Sequence, residues 1–200
     1  MRMLIANNCL TIHVYHKQQR QYDNPFFGNR IFCKDFQKLI ENFETLDYED
    51  VDICLNDDLH HTDPVGTPNK TISVILPGKI RVLYQHIMYS KTDIVPRKVS
   101  GCVYYHRNYE LALNNYLRRV KRMNVHANKL FIYGDNEVPG FSTEQDKISL
   151  INTAKICKKN LLFITENGKY KQYENEYCTV LVVDKYDFGK IINTYWEYLQ

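Results

Sequence analysis

A chain of 200 residues, 44% hydrophobic and 24% charged, is long enough to bury a substantial core, which excludes a disordered tail and a membrane-embedded chain. Its formal charge of +3, without a concentrated basic face, gives no expectation of nucleic-acid binding. The opening residues turn polar at Asn7 and no later stretch approaches the roughly 18 apolar residues needed to cross a bilayer, so a cytoplasmic protein without a membrane span is expected. In that compartment Cys9, Cys33, Cys54, Cys102, Cys157 and Cys178 should be free thiols, mostly small core residues. No CxxC pair occurs, so no structural zinc is expected, and no other metal or cofactor is assigned. The 16 Tyr either supply amphipathic rings suited to a ligand-handling surface or reflect, with the abundant Asn and Lys, codon bias in an AT-rich genome.

In chain order, Met3-Leu4-Ile5-Ala6 reads as a short buried strand stopping at Asn7-Asn8. A helix follows from Cys9, then the loop Tyr22 to Gly28, then a helix over Cys33 to Phe43 with Phe36, Leu39, Ile40 and Phe43 at helical spacing. Val51 to Leu55 is the next strand, and Asn56 to Lys70, with two prolines and a glycine, reads as a loop. Thr71 to Leu76 and Ile80 to Met88 are β-branched and separated by Pro77-Gly78, which predicts a hairpin. Cys102 to Tyr105 forms a strand delivering His106, and a helix runs from about Asn108 to Met123 with Arg118, Arg119, Lys121 and Arg122 in its last turns. Lys129 to Tyr133 is a strand ending at Gly134-Asp135, and Ser142-Thr143-Glu144-Gln145 is a capping box for a helix to about Lys158. Leu161 to Ile164 and Thr179 to Val183 are further strands, and Asp187 caps a terminal helix through Tyr198.

This alternation predicts one α/β domain over residues 1–200. It is three-layered: a mostly parallel sheet with helices on both faces and an antiparallel insertion around residues 71–88. Ligands of such sheets lie beyond the carboxyl ends of the strands, where Cys9, His106 and Asp135 all fall.

A cysteine at a helix start meets the positive end of the dipole and unpaired N–H groups, which favour a thiolate and can hold an oxyanion. His106 is the base such a thiol needs, and Asp135 or Asn7 would orient the histidine or the oxyanion. Asn8 is a further donor or the helix cap. Arg118 and Arg122 project together and suit a bidentate grip on a phosphate or carboxylate. Tyr105, with Tyr104 and Tyr109, offers a platform, and His60-His61 falls in the loop reading. Cys9, His13 and His16 share a helical face, but no acidic partner stands near them in sequence. No glycine-rich phosphate loop occurs.

Leu4-Ile5-Ala6-Asn7-Asn8-Cys9, Asn24-Pro25-Phe26-Phe27-Gly28 and Lys34 to Phe43 resemble the bacterial "domain of unknown function 1919" family, which is associated with exopolysaccharide biosynthesis. Asp63-Pro64-Val65-Gly66 is similar to its Pro-Val-Gly turn. Tyr105-His106, Glu110-Leu111-Ala112, Tyr116 to Asn124 and Lys129 to Tyr133 follow in the family's order. The skeleton is also similar to a family of papain-like cysteine peptidases, and that resemblance implies Cys9 as nucleophile and His106 as base. The expectation is a cysteine-dependent hydrolase or acyl/amide transferase acting on a small glycan-related or amide-containing substrate, with Tyr105, His61, Asn8, Arg118 and Arg122 lining its site. Two alternatives belong to other classes: a non-catalytic sugar or sugar-phosphate binding protein, and a glycosyl- or phospho-transferase using Asp57, Asp58 or Asp63 with a divalent metal.

Overall fold

The computed structural model describes residues 2–27, 29–62, 68–84, 113–136 and 141–199, with backbone alone at 55–62, 68–72 and 84. The elements are β1 (Met3–Ala6), α1 (Leu10–Lys17), α2 (Cys33–Asn42), β2 (Asp52–Thr62), β3 (Pro68–Leu76), β4 (Ile80–Tyr84) and a helical segment α3 at residues 113–120. They continue with β5 (Lys129–Gly134), α4 (Glu144–Ile156), β6 (Leu161–Thr165), β7 (Cys178–Val182), α5 (Phe188–Thr194) and α6 (Trp196–Leu199). The fold is α/β, with a four-stranded sheet in the order β1-β5-β6-β7, parallel throughout, and a three-stranded antiparallel sheet β2-β3-β4.

Strand side chains alternate between faces, and here both faces are covered. Met3, Ile5, Phe131, Tyr133, Leu161, Phe163 and Val180 point to one side. There they pack on α2 (Phe36, Leu39, Ile40), on α4 (Leu150, Ile151, Ala154) and on Val74, Leu76, Ile80 and Val82 of the small sheet. Leu4, Ala6, Leu130, Ile132, Leu162, Ile164 and Leu181 point to the other side, against Leu10, Val14 and Tyr15 of α1, Ile191 and Ile192 of α5, and Leu199. Burying each large apolar side chain contributes about 1.5–3 kcal/mol, so strands buried on both faces anchor the molecule. Cys33 and Cys178 are fully buried core members, and no disulfide joins any two of the five described cysteines.

The structure departs from the sequence reading at three places. The Asn56 to Lys70 stretch is not a loop throughout: β2 continues to Thr62, and β3 starts at Pro68 with Asp57 opposite Lys70 and Asp58 opposite Asn69. Polar strand ends of this kind give no alternating apolar signal, while Pro64, Gly66 and Pro68 give turn signals. The capping box lies one residue later than expected: Thr143 Oγ1 accepts from Asp146 N–H at 3.1 Å, and Asp146 accepts from Thr143 N–H at 2.8 Å. Its first helical residue is therefore Glu144, and a short side chain at the third helical position closes the box where Glu or Gln is usual. The terminal helix is divided at Tyr195, between α5 and α6.

The junction between the sheets runs through the loop before α2. Ile31 N–H donates to Asn7 C=O at 3.0 Å, while Arg30 exchanges backbone hydrogen bonds with Leu83 of β4 at 2.9 and 2.8 Å. Asn7, at the end of β1, is thus tied to the small sheet as well as to the large one.

Candidate functional site

The carboxyl ends of β1, β5, β6 and β7 gather a polar cluster. Asn7 continues the ladder after β1 ends. Its N–H donates to Ile132 C=O at 3.1 Å, its Oδ1 accepts from Gly134 N–H at 2.7 Å, and its Nδ2 donates to Gly134 C=O at 3.2 Å. A buried amide that pairs with both backbone groups of the neighbouring strand is a scaffold element, because leaving either group unpaired is costly. Its side-chain donor is committed to Gly134, so the structure gives Asn7 the work of joining β1 to β5.

Asn8 Oδ1 accepts from Leu10 N–H at 3.0 Å, satisfying one of the open donors at the start of α1. Its Nδ2 donates to Tyr186 Oη at 2.8 Å and to Asn136 Oδ1 at 3.3 Å. Tyr186 therefore caps the ends of β1 and β5, a fit that requires glycine at 134. A Cβ there would sit 1.7 Å from Tyr186 Oη and 2.3 Å from Asn8 Nδ2. Among the described residues the Tyr186 hydroxyl proton has no acceptor and the Asn136 Nδ2 has no partner, so two donors remain for something else.

Cys9 occupies the capping position of α1 and is partly buried. Burial pushes its thiol pKa up, and the nearby Arg30 guanidinium opposes this only in part. Desolvation is the largest influence on this side chain and favours its neutral form. Burial likewise raises the Tyr186 hydroxyl, helped by the charge of Asp135 and opposed by the Asn8 hydrogen bond. Cys9, Asn8, Asn136 and Tyr186 thus form a neutral, dipolar surface.

The charged part of the cluster is internally neutralised. Asp135 Oδ1 lies 2.5 Å from Lys147 Nζ of α4, and its Oδ2 accepts from Thr165 Oγ1 at 3.0 Å, at the end of β6. Thr165 Oγ1 in turn accepts from Asn167 N–H at 3.0 Å. Asp135 thereby fastens α4 to the ends of β5 and β6.

Arg118 and Arg122 stand elsewhere. They line a groove of about 520 Å³ with His16, Gln19, Arg20 and Tyr22, beside the carboxyl end of α1, whereas Cys9 marks its amino end. His106, Tyr105, Tyr104, Tyr109 and Asp63 lie outside the described residues, and the side chains of Asp57, Asp58, His60 and His61 do too, their backbone belonging to β2. His13 stacks on Phe188 at 5.3 Å and His16 on Tyr22 at 6.4 Å, so the histidines of the Cys9 face are turned to separate aromatic partners. Among the described residues no three His, Cys, Asp or Glu side chains gather as a cation-holding group. No helix among them is long and apolar enough to cross a membrane.

Sequence reasoning missed Tyr186, Asn136, Gly134 and the Lys147–Thr165 pair around Asp135. The strand-end rule that singled out Cys9 and Asp135 also applies after β7, where Tyr186 stands four residues past Val182. No local signal marks Lys147, which reaches the cluster only because α4 packs back over the sheet.

The fold and this cluster define an α/β protein with a parallel sheet whose strand ends carry a polar site. A model of the family described as "Domain of unknown function (DUF1919)" matches residues 2–93, and over that stretch the chain is similar to this family. No curated protein matches. The matched stretch contains Asn7, Asn8, Cys9 and the small sheet, while Asp135 and Tyr186 come from the part beyond it.

Proposed function

We propose that the protein is a cysteine-dependent hydrolase or acyl/amide transferase, acting at the strand-end cluster on an uncharged, hydroxyl- or amide-bearing substrate of glycan-related type. The observation that carries this reading is the meeting of a thiol with unspent neutral donors. Cys9 lies beside Asn8, whose amide holds Tyr186 and Asn136, and those two retain an O–H and an NH₂ for a ligand. Neutral donors suit sugar hydroxyls and amide carbonyls better than they suit anions.

In this reading Cys9 Sγ attacks a substrate carbonyl. A C–S bond forms as the bond to the leaving group breaks, and the thiol proton passes through a base to that leaving group. Water, or an acceptor hydroxyl, then attacks the thioester, releases the acyl group and returns the proton to sulfur. Tyr186 or Asn136 is the donor for the oxyanion, in place of Asn7. His106 is the base assigned from the sequence. Because burial favours the neutral thiol, this reading requires a base to take the Cys9 proton before attack. A link to surface-polysaccharide biosynthesis belongs to the same proposal.

The test is acyl transfer from p-nitrophenyl acetate, followed by peptide mapping. An acetyl group on Cys9 that turns over in the native protein, and turnover lost in Cys9→Ala, are expected. Equal turnover in Cys9→Ala would overturn the reading. A second reading, a non-catalytic sugar-binding protein, draws on the neutral resting thiol, and it expects Cys9→Ala to bind glycan ligands as the native protein does.

A further inference from the structure

The groove lined by Arg118 and Arg122 is independent of the Cys9 cluster and has a different chemistry. Helix α1 ends there in a motif that sets two of the groove residues. Gln19 takes a left-handed φ of 53°, Arg20 N–H donates to Tyr15 C=O at 2.9 Å, and Gln19 N–H donates to His16 C=O at 3.1 Å. This turn brings Arg20 back over the Tyr15 ring, 4.5 Å from its centroid, where it pairs with Asp23 at 2.9 Å. The opposite wall comes from the end of α3, with Arg118 and Arg122 one helical turn apart.

The charge balance is one-sided. Among the described residues no carboxylate lines the groove, and Asp23 is engaged by Arg20 and by the Tyr15 hydroxyl at 2.5 Å. Arg118 spends one donor on Asn115 Oδ1 at 2.8 Å, and Arg122 spends its Nε on Arg118 C=O at 3.3 Å. Neither meets a carboxylate among the described residues. Arginines at a helix carboxyl end offset a partial charge of about half an electron, which a single cation already balances. Arg119 is absorbed differently, donating to Phe27 C=O at 3.0 Å and lying over the Tyr22 and Phe27 rings. Among the described residues, Arg118 and Arg122 therefore leave about two positive charges without a carboxylate over a space of about 520 Å³, the size of a small-molecule site.

We propose that this groove binds a phosphate monoester of a small hydroxyl-bearing molecule. Arg118 and Arg122 hold the phosphoryl oxygens, and His16, Gln19 and Gln21 meet the hydroxyls. Two guanidinium forks match the charge and the planar oxygen pairs of a dianion, which an ammonium does only as a point charge. The site is separate from the Cys9 cluster and stands whether or not Cys9 is a nucleophile.

Isothermal titration of the native protein with glucose 6-phosphate, inorganic phosphate and glucose at constant ionic strength tests this. Saturable binding of glucose 6-phosphate and none of glucose is expected. R118Q/R122Q should weaken it at least tenfold, and the charge-matched pair K155Q/K158Q should leave it unchanged. R118K/R122K, which keeps the charge and removes the forks, should fall between, and it carries the test if R118Q/R122Q melts early. Inorganic phosphate binding as tightly as the ester supports the phosphoryl site and assigns it to the free anion. No saturable binding of either phosphate, equal binding of glucose, or equal weakening in both glutamine pairs overturns the proposal.

Discussion

At the amino end of α1 the polar side chains spend most of their hydrogen bonds on one another. Asn7 pairs with Gly134, Asn8 holds Leu10, Asn136 and Tyr186, and Asp135 is neutralised by Lys147. At the carboxyl end, Arg118 and Arg122 keep most of their donors and meet no carboxylate among the described residues. Polar groups at the first end therefore hold the fold together and leave only a few donors over, while those at the second cost the fold little and are available to a ligand. Substitutions at the two ends should separate along that line, in stability at one and in binding at the other.

The largest effect is expected at Gly134. Gly134→Ala forces a Cβ to within 1.7 Å of Tyr186 Oη, so Tyr186 must leave and Asn8 loses its partner. A loss of about 3 kcal/mol in urea unfolding is expected, as for an overpacked core. A variant of native stability would show that Tyr186 does not cap the strand ends. Next comes Asn7→Ala, which leaves the buried Gly134 N–H without its acceptor and should cost about 2 kcal/mol by the same measurement. Asn8→Ala should cost about 1 kcal/mol, the usual magnitude for a lost hydrogen bond, and a cost as large as that of Asn7→Ala would mean that the Tyr186 contact carries more than the Leu10 N–H bond.

The pH dependence of Cys9 sharpens the electrostatic side of the comparison. Burial favours its neutral form, so at neutral pH a smaller fraction is thiolate than in an ordinary cysteine. Iodoacetamide labelling followed by peptide mapping should be slow at pH 7 and rise only through a midpoint above the ordinary thiol value of about 8.5. Fast labelling at neutral pH would instead place an unscreened positive charge at the sulfur. The smallest stability effect is expected at the other end: R118Q/R122Q should change unfolding free energy by less than about 0.5 kcal/mol, since side chains that are not buried and meet no carboxylate among the described residues support little structure. A loss comparable to that of Asn7→Ala would turn the two arginines into structural groups and remove the contrast.

Much of the architecture was legible because its signals are local. Phe36, Leu39, Ile40 and Phe43 announce α2 by their spacing, and the runs Met3 to Ala6, Leu130 to Tyr133 and Leu161 to Ile164 are apolar throughout because both faces of the parallel sheet are covered. Asp187 capping α5 was equally plain, its side chain accepting from Lys190 N–H at 2.8 Å. The polar end of the β2-β3 hairpin was not legible, since its pairing rests on backbone hydrogen bonds that any residue can make.

The turn Asn7-Asn8-Cys9 shows where sequence stops and tertiary structure takes over. Residue types alone marked a polar helix start after a buried strand, and the strand-end rule made it a place for a ligand. Only the fold decided what each residue does there. Asn7 faces Gly134, 127 positions away in the chain, Asn8 reaches Tyr186 across 178 positions, and the depth at which Cys9 sits favours its neutral thiol. The same holds for Arg118 and Arg122, whose fork-like pairing follows from helical spacing while the groove they face is set by where α1 turns back at Gln19 and Arg20. Periodicity and charge are properties of neighbours in the chain. Hydrogen-bond partners and burial are properties of neighbours in space, and packing alone fixes those.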